Sequence, residues 1–384
     1  AQGVIQSNGT FTIYTEKLVT SNTGFVGNDF IGSIDNVSVV EITDATNIPR
    51  IDYTDGTASI LLEPQSTNLI THSSDFSNGS WSKVNSSITI NNQVSPDGTL
   101  SASLMTSTSA ASYISDSLVT ANPSNFSVFV KYIDQQFVQL YSGASGNFHA
   151  TFDIQNQVIG ASGAWTSNLK IENYGNNWYR ISCVFTGAAV GSSVRIGFAQ
   201  SLTSTWGGLN TGFGTSLLIW GAQFEALSYP TSYIPTSGAI ATRLADSVTG
   251  AGDASTFNST EGVLYAEMAK NNVLGFESSI LLTKDLSNEI RLNLATNNRL
   301  NVFVNVGGVN QAYMDNLTFT LQDYNKIAVK YKLNDYSVFV NGTKVYTDTS
   351  ALVPPDMNEL KFNNFAGKVK ALAVFNEALT DSEL

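Results

Sequence analysis

Residues 336–346 read Tyr-Ser-Val-Phe-Val-Asn-Gly-Thr-Lys-Val-Tyr. The pair Asn341-Gly342 stands between two alternating runs that are rich in β-branched and aromatic residues. Both central residues of a type I′ turn need positive φ angles, which Asn and Gly adopt at low cost. The stretch therefore predicts a β-hairpin in the C-terminal third of the chain.

The same two-residue period extends outward through the sequence. It is clearest in the runs 126–132 and 194–198, whose apolar residues share one face: Phe126, Val128, Val130 and Tyr132 in the first, and Val194, Ile196 and Phe198 in the second. A strand with one polar and one apolar face is what packed sheets require. No segment sustains an amphipathic helical pattern over three turns, so the sequence predicts an all-β fold of tandem antiparallel β-sandwiches.

Three segments carry an aromatic residue followed closely by a glycine and then an alternating strand: Phe30–Val39, Leu218–Glu225 and Phe365–Phe375. A strand of this kind commonly closes a jelly-roll module, because Gly permits a bulge and the aromatic ring fills the end of the sandwich. Three such endings predict three modules, of which the first is incomplete. A chain of 384 residues is long enough for two full sandwiches and part of a third.

The predicted boundaries follow from these endings. Residues 1–45 form the C-terminal strands of the incomplete module, 46–66 an irregular connector, 67–243 a jelly roll, and 244–384 a further sandwich. The exit from the jelly roll, Ser228–Thr236, carries two prolines and two tyrosines, so we expect it to be extended and to lie across a surface. The sequence is strand-like from Ala1 and stops at Leu384 within what looks like the start of a helix, so we expect it to be a piece of a longer polypeptide.

Composition excludes several classes of partner. Hydrophobic residues make up 42% of the chain and charged residues 13%, and the net charge is −12. Binding to nucleic acid draws on clustered Lys and Arg, whereas the 19 basic residues here are scattered. No run approaches the roughly 18 apolar residues of a membrane span. We therefore expect no nucleic acid partner and no membrane insertion. An acidic glycan would need a bridging cation or a local basic patch, because the negative net charge repels it.

Catalytic chemistry has few candidates. The single cysteine, Cys183, alternates with apolar residues and is predicted to be a buried thiol. Two histidines, His72 and His149, are too few for an ordinary zinc or iron site, and no Ser near them stands in a Gly-x-Ser-x-Gly elbow. No strand carries the paired carboxylates of a glycosidase. The sequence predicts a protein that is not an enzyme.

A structural calcium ion is the one cofactor that the sequence leaves open. Loop carboxylates could hold it, and the candidates are Asp55, Asp97 and Asp285. Asp-Gly pairs are also ordinary turn signals that need no metal.

Sugar binding would rest on aromatic platforms, because a ring face stacks on a pyranose while amides and acids meet its hydroxyls. Trp206 in Ser-Thr-Trp-Gly-Gly and Trp165 in Gly-Ala-Trp-Thr stand in loop-like surroundings, whereas Trp178 and Trp220 are predicted to be in the core. Trp206 is the leading glycan-binding candidate and Trp165 the second. The same surroundings suit a ring that caps a hydrophobic edge or joins two subunits.

Six motifs follow one another in the connector and the predicted jelly roll: Ile48-Pro-Arg-Ile-Asp-Tyr53, Leu61-Leu-Glu-Pro-Gln-Ser-Thr-Asn-Leu69, Asp75-Phe-Ser with Trp81, Gly175-Asn-Asn-Trp-Tyr-Arg180, Ile219–Glu225 and Thr231–Pro235. The series resembles the carbohydrate-binding-like jelly-roll domains of bacteriophage tail and fibre proteins, over about 190 residues. The last module looks like the laminin-G-like or concanavalin-A-like fold. Its matching segments are Glu261–Glu267, the Asn341-Gly342 hairpin, Phe365-Ala-Gly367 and Phe375–Glu383.

The resemblance implies a non-catalytic structural or adhesive virion protein, a tail, fibre or capsid-surface component at the virion surface or otherwise extracellular. Its partners would be host surface glycans or other virion proteins, and it would be a homo-oligomer. Two alternatives stay open. The chain could be a bacterial secreted adhesin or the accessory binding portion of a polysaccharide-degrading enzyme, or its modules could be inert spacers or oligomerisation units.

Overall fold

The computed structural model describes residues 49–53, 56–117, 122–143, 146–187, 193–271, 277–295, 299–318, 320 and 323–384. The predicted first module, with its ending Phe30–Val39, and the calcium candidate Asp55 lie outside the described residues. Among the described residues there is no helix with the length and apolar character needed to cross a membrane.

The described residues form 26 β-strands. The first sixteen, in chain order, are β1 (Arg50–Asp52), β2 (Ser59–Leu62), β3 (Ser66–Asn68), β4 (Trp81–Val84), β5 (Ser86–Gln93), β6 (Ala102–Ser107), β7 (Tyr113–Ser117), β8 (Ser124–Tyr132), β9 (Phe137–Ser142), β10 (His149–Asp153), β11 (Val158–Ser162), β12 (Thr166–Asn173), β13 (Tyr179–Phe185), β14 (Ser193–Phe198), β15 (Ser216–Glu225) and β16 (Ala241–Arg243). The other ten are β17 (Glu261–Lys270), β18 (Ser278–Asp285), β19 (Asn288–Leu294), β20 (Arg299–Val306), β21 (Val309–Thr318), β22 (Asn325–Lys332), β23 (Tyr336–Val340), β24 (Thr343–Asp348), β25 (Glu359–Asn363) and β26 (Gly367–Phe375).

The first sandwich consists of two six-stranded antiparallel sheets. One has the strand order β11-β10-β9-β14-β7-β4 and the other β12-β13-β8-β15-β6-β5. Their facing sides share one core, to which Leu140 and Ile196 contribute from the first sheet and Val128 and Phe224 from the second. Full burial of side chains of this size stabilises the fold by about 1.5 to 3 kcal/mol each.

The second sandwich pairs a seven-stranded sheet, β1-β2-β26-β17-β22-β23-β24, with a five-stranded sheet, β21-β20-β19-β18-β25. Strand β2 precedes the first sandwich in the chain, yet it pairs with β26 through Ile60 opposite Val369. The first sandwich is therefore inserted into the second between β2 and β17. The segment 46–66, which the sequence predicts to be an irregular connector, contains β1, β2 and the start of β3.

The structure confirms the predicted all-β class of antiparallel β-sandwiches and several local predictions. Asn341 and Gly342 have φ angles of 52° and 78° and join β23 to β24. Cys183 is a buried free thiol. Trp178 and Trp220 are buried, as the sequence predicts.

The exit segment 226–240 is extended and lies against the outer side of the sheet that contains β13 and β15. The ring of Tyr233 packs on Trp220 with centroids 4.4 Å apart, and Arg180 donates to the carbonyl oxygen of Thr231 at 2.6 Å. These contacts confirm that the segment crosses a surface. It returns the chain to β16, which pairs with β3.

Four charged side chains meet where the two sandwiches join; we call them the junction cluster: Arg50, Glu63, Arg243 and Asp246. Arg50 pairs with Glu63 and lies 3.6 Å from Asp246, while Arg243 lies 3.4 Å from Glu63 and 3.2 Å from Asp246. The two acids are almost fully buried, with side-chain exposures of 4% and 2%. Buried carboxylates persist only when they are paired and hydrogen-bonded, so the cluster holds β1, β2 and β16 together.

Backbone groups and one buried amide extend this junction. The amide nitrogen of Ser232 donates to Glu63 Oε1 at 2.9 Å, and the amide nitrogen of Glu63 donates to Asp246 Oδ2 at 2.8 Å. Asn68 is fully buried, donates to the carbonyl oxygens of Ala222 and Ile234, and accepts from two backbone amides. The motif Leu61–Leu69 therefore has a structural role, since it fastens the entry of the first sandwich to its exit.

We predict that Glu63→Gln lowers the free energy of unfolding by about 3 kcal/mol, because Asp246 is then the one acid of the junction cluster left to balance Arg50 and Arg243. The matched control is Asp356→Asn, at the exposed Lys284–Asp356 pair. That substitution should change stability little, because water and salt already screen surface pairs. Urea denaturation of both variants gives the comparison, and equal midpoints would contradict the role of the junction cluster.

Asp116 gives a second test. It lies on β7 with 4% of its surface exposed, and its Oδ2 has no hydrogen-bond partner among the described residues. Burial raises the pKa of this carboxyl from 3.8 to about 6, opposed by the backbone amide of Ser117 and by His72. Between these two pH values the folded state keeps a proton that the unfolded state has lost, so ionisation at higher pH destabilises the fold.

We therefore expect Asp116→Asn to gain stability relative to the wild type as the pH rises from about 4 to about 7. The free energy of unfolding of the variant should rise by about 1 to 2 kcal/mol relative to that of the wild type. This is less than the full pKa shift implies, because water screens part of the charge. Thermal unfolding of both proteins at each pH measures it. Parallel stability curves for the two proteins would show that Asp116 titrates normally.

Candidate functional site

The outer side of the sheet β11-β10-β9-β14-β7-β4 carries a cluster of aromatic and polar side chains. Strand alternation places them there, because their neighbours Ile114, Leu140 and Ile196 point into the core. We call this surface the tryptophan face and define it by six residues: Tyr113, Gln139, Tyr141, His149, Arg195 and Trp206.

The strand register sets the order of these side chains across the sheet. His149 on β10 lies opposite Tyr141 on β9, and Tyr141 lies opposite Arg195 on β14. Gly197 on β14 lies opposite Tyr113 on β7. A Cβ atom at Gly197 would come within 2.9 Å of the Tyr141 ring, so the glycine makes room for the rings beside it.

Trp206 reaches this face from the loop that follows β14. Its Nε1 donates to the carbonyl oxygen of Ser142 at 2.8 Å, and its ring meets that of Tyr141 edge-on, with centroids 6.3 Å apart. The residue is 37% exposed. The ring is therefore held in one orientation while part of its surface faces solvent.

Gln139 and Thr151 fasten that loop to the sheet. Gln139 donates to the carbonyl oxygen of Thr205 at 3.0 Å and accepts from the amide nitrogen of Gly207 at 3.1 Å. The Thr151 hydroxyl donates to the carbonyl oxygen of Ser204 at 2.9 Å. An aromatic side chain fixed in this way loses little conformational entropy when a ligand binds.

Trp165 lies beside the same β9–β10 connection. Its amide nitrogen donates to the carbonyl oxygen of Asn147 at 3.1 Å, and its ring packs on Phe148 with centroids 5.3 Å apart. Gly146, one residue before Asn147, lies close to Trp206. A Cβ atom added at Gly146 would be 3.7 Å from the Cβ atom of Trp206. The structure thus brings both predicted tryptophans to one hairpin, and Trp165, at 43% exposure, also caps the core.

His149 and Tyr141 are buried beneath this surface. The Nδ1 atom of His149 lies 2.9 Å from the carbonyl oxygen of Gly146, so Nδ1 carries the proton and Nε2 is left as an acceptor. Burial lowers the pKa of His149, which keeps the imidazole neutral at pH 7. Burial also raises the pKa of Tyr141, although the nearby Arg195 partly opposes that shift, and the phenol stays protonated.

Two of the calcium candidates are described, and both stabilise turns. Asp97 Oδ1 accepts from the Ser95 hydroxyl and from the amide and hydroxyl of Thr99, while Asp285 accepts from Ser287 and Asn288. No three His, Cys, Asp or Glu side chains of the described ranges lie together as a metal ion would require. Calcium binding stays a prediction.

The second sandwich also presents an arginine beside aromatic rings. On the outer side of its five-stranded sheet, Arg291 lies opposite Phe303, whose ring stacks on Tyr313 at 4.8 Å. Arg291 pairs with Glu289 at 2.8 Å, and Glu289 also accepts from Asn305 at 3.1 Å. The positive charge of this arginine is therefore neutralised within the fold.

An open cleft of about 490 Å³ lies on the opposite outer side of the first sandwich and is lined by Val94, Leu100, Lys131, Tyr174 and Trp178 among others. Trp178 is buried and donates its Nε1 to the carbonyl oxygen of Val94, so the tryptophan is part of the wall. The cleft is a second place on this sandwich where a ligand could contact an aromatic ring and a cation.

Sequence reasoning found Trp206 and Trp165 but did not identify Tyr113, Tyr141 or Arg195 as site residues. The alternation in 194–198 assigns Arg195 to the polar face of its strand. Nothing local in the sequence shows that β7 and β9 lie on either side of β14, and this pairing is what creates the cluster.

No family model and no curated protein matches the chain. Solved structures similar to it include a carbohydrate-binding module from Bacillus subtilis, at 10% identity over 30% of this chain and 75% of that chain, with a TM-score of 0.26. Chicken galectin 2 is 13% identical over 33% and 99%, with a TM-score of 0.26. A mutant Trypanosoma rangeli sialidase displaying trans-sialidase activity is 11% identical over 73% and 59%, with a TM-score of 0.30. These similarities are too remote to carry a ligand or an activity over to this chain.

Proposed function

We propose that this chain is a non-catalytic glycan-binding protein and that the tryptophan face holds the saccharide. The observation that carries the proposal is the fixed, part-exposed ring of Trp206, which lies against the buried ring of Tyr141 together with the part-exposed guanidinium of Arg195. Aromatic faces stack on the apolar face of a sugar ring, and hydroxyl and guanidinium groups bond to its oxygens. A ring locked in place is better suited to this than a mobile one.

The absence of catalysis is part of the proposal. Glycoside hydrolysis needs two carboxylates that flank the scissile bond. On the described strands of the tryptophan face the one outward carboxylate is Asp153, at the far end of β10. Its oxygens already accept bonds from Gln136, Gln155 and Asn156. This arrangement supports a binding role.

The finer proposal places the protein at the surface of a virion, as a tail, fibre or capsid-surface component that contacts host glycans. Its support is the ordered motif series between Ile48 and Pro235. Glu63 and Asn68 in that series have structural roles at the junction, so the series supports a shared architecture more directly than a shared ligand. The homo-oligomeric state and the extracellular location belong to the same proposal.

We predict that the full chain binds a defined subset of saccharides on a glycan array and that Trp206→Ala weakens this binding at least about tenfold, or ~1.4 kcal/mol. The physical reason is the loss of the stacking surface while the sheet beneath stays intact. Tyr313→Ala, at an aromatic of similar exposure on the second sandwich, is the matched control and should bind as the wild type does.

The array is run with and without calcium, so that a metal requirement is measured in the same experiment. Binding that survives in Trp206→Ala would place the site elsewhere, and the open cleft would be the next surface to test. Silence toward every saccharide, in a chain that is folded by circular dichroism, would overturn the proposed function and favour a spacer role.

A further inference from the structure

Arg195 on the tryptophan face contacts two neighbouring aromatic rings. The guanidinium carbon lies 5.0 Å from the ring centroid of Tyr113 and 5.5 Å from that of Tyr141. At Gly143 a Cβ atom would come within 2.9 Å of Arg195 Nη2, so the glycine leaves room for the guanidinium. The two ring centroids are only 6.1 Å apart, so both rings contact the guanidinium from adjacent directions and restrain it, and the residue stays partly exposed.

No carboxylate in the described part of the chain neutralises the charge of Arg195. Among the salt bridges of the described residues, Arg50, Arg243 and Arg291 each have a carboxylate partner, and Arg195 has none within 4 Å. Arg180, which is fully buried, instead bonds to a backbone carbonyl and to the hydroxyl of Ser127. Arg195 is therefore a cation aligned for an external anion, in a chain whose net charge is −12.

The groups beside Arg195 are neutral, so they do not compete with the anion of a ligand for its charge. Tyr141 stays protonated, and the buried Nε2 atom of His149 has no hydrogen-bond partner among the described residues. Asp116, on the neighbouring strand, lies in register with Val194 and points to the core side of the sheet. Within the described strands around Arg195, no outward carboxylate would repel an anion. The negative net charge acts weakly here, because salt screens charges beyond about 8 Å.

We infer that the tryptophan face selects acidic saccharides, those that carry a carboxylate or a sulfate. Arg195 pairs with the acidic group, while Trp206 stacks on the sugar ring. The planar guanidinium matches the two oxygens of a carboxylate and forms charge-assisted hydrogen bonds with them. This inference rests on the proposed function and adds the class of ligand to it.

The experiment compares two pairs of probes, each consisting of a charged and a neutral member: sialyllactose with its methyl ester, and sulfated lactose with lactose. Titration calorimetry on the full chain should show that sialyllactose binds at least about tenfold tighter than its ester or lactose. Arg195→Gln should remove this preference, so that sialyllactose and its methyl ester bind with equal affinity. Arg195→Lys keeps the charge and should restore part of the preference. The sulfated probe shows whether a sulfate can take the place of the carboxylate as the acidic group.

Lys131→Gln is the matched control, because it removes one positive charge from the open cleft on the opposite side of the same sandwich. It should leave every affinity unchanged. Near-ultraviolet circular dichroism of each variant shows that the aromatic packing around Tyr113 and Tyr141 is intact.

The outcomes separate the inference from the proposed function. Equal binding of charged and neutral probes that still depends on Trp206 would overturn the acidic preference and leave glycan binding standing. A charge preference that is lost in Lys131→Gln and kept in Arg195→Gln would overturn the role of Arg195. Binding of none of the probes, together with a silent glycan array, would overturn both.

Discussion

Burial of the junction cluster is the constraint on which the arrangement of the two sandwiches depends. Glu63 and Asp246 are nearly inaccessible to water, so each needs the cations Arg50 and Arg243 within a few ångströms. These residues come from chain segments on both sides of the first sandwich. Satisfying their charges requires the chain to leave the second sandwich, complete the first, and return to the same point.

That requirement explains the path of the chain. Strand β2 precedes the first sandwich and β26 follows it, yet they pair, so the C-terminal sandwich is completed by residues from far earlier in the sequence. The segment between β15 and β16 is tied down by Asn68 and Arg180. The first sandwich is thereby held at its entry and its exit, which leaves the tryptophan face, on its other sheet, free of this packing.

Two arginines show how strongly local surroundings decide the chemistry of a β-sheet surface. Arg195 and Arg291 both lie on outer faces next to aromatic rings. Glu289 neutralises Arg291, whereas the described residues about Arg195 are aromatic rings and neutral groups. Arg195 is therefore available to a ligand, and Arg291 is part of the internal hydrogen bonding of its sheet.

The sequence by itself determined the all-β class, the turn at Asn341-Gly342, the buried state of Cys183 and the polar side of individual strands, because these depend on contacts within a few residues. Trp206 could be named from its loop composition alone. Only the tertiary structure decided that β2 belongs to the second sandwich and that Tyr113, Tyr141 and Arg195 form one cluster. Those facts depend on which distant strands pair, and a period of two residues specifies a face of each strand without specifying its neighbour.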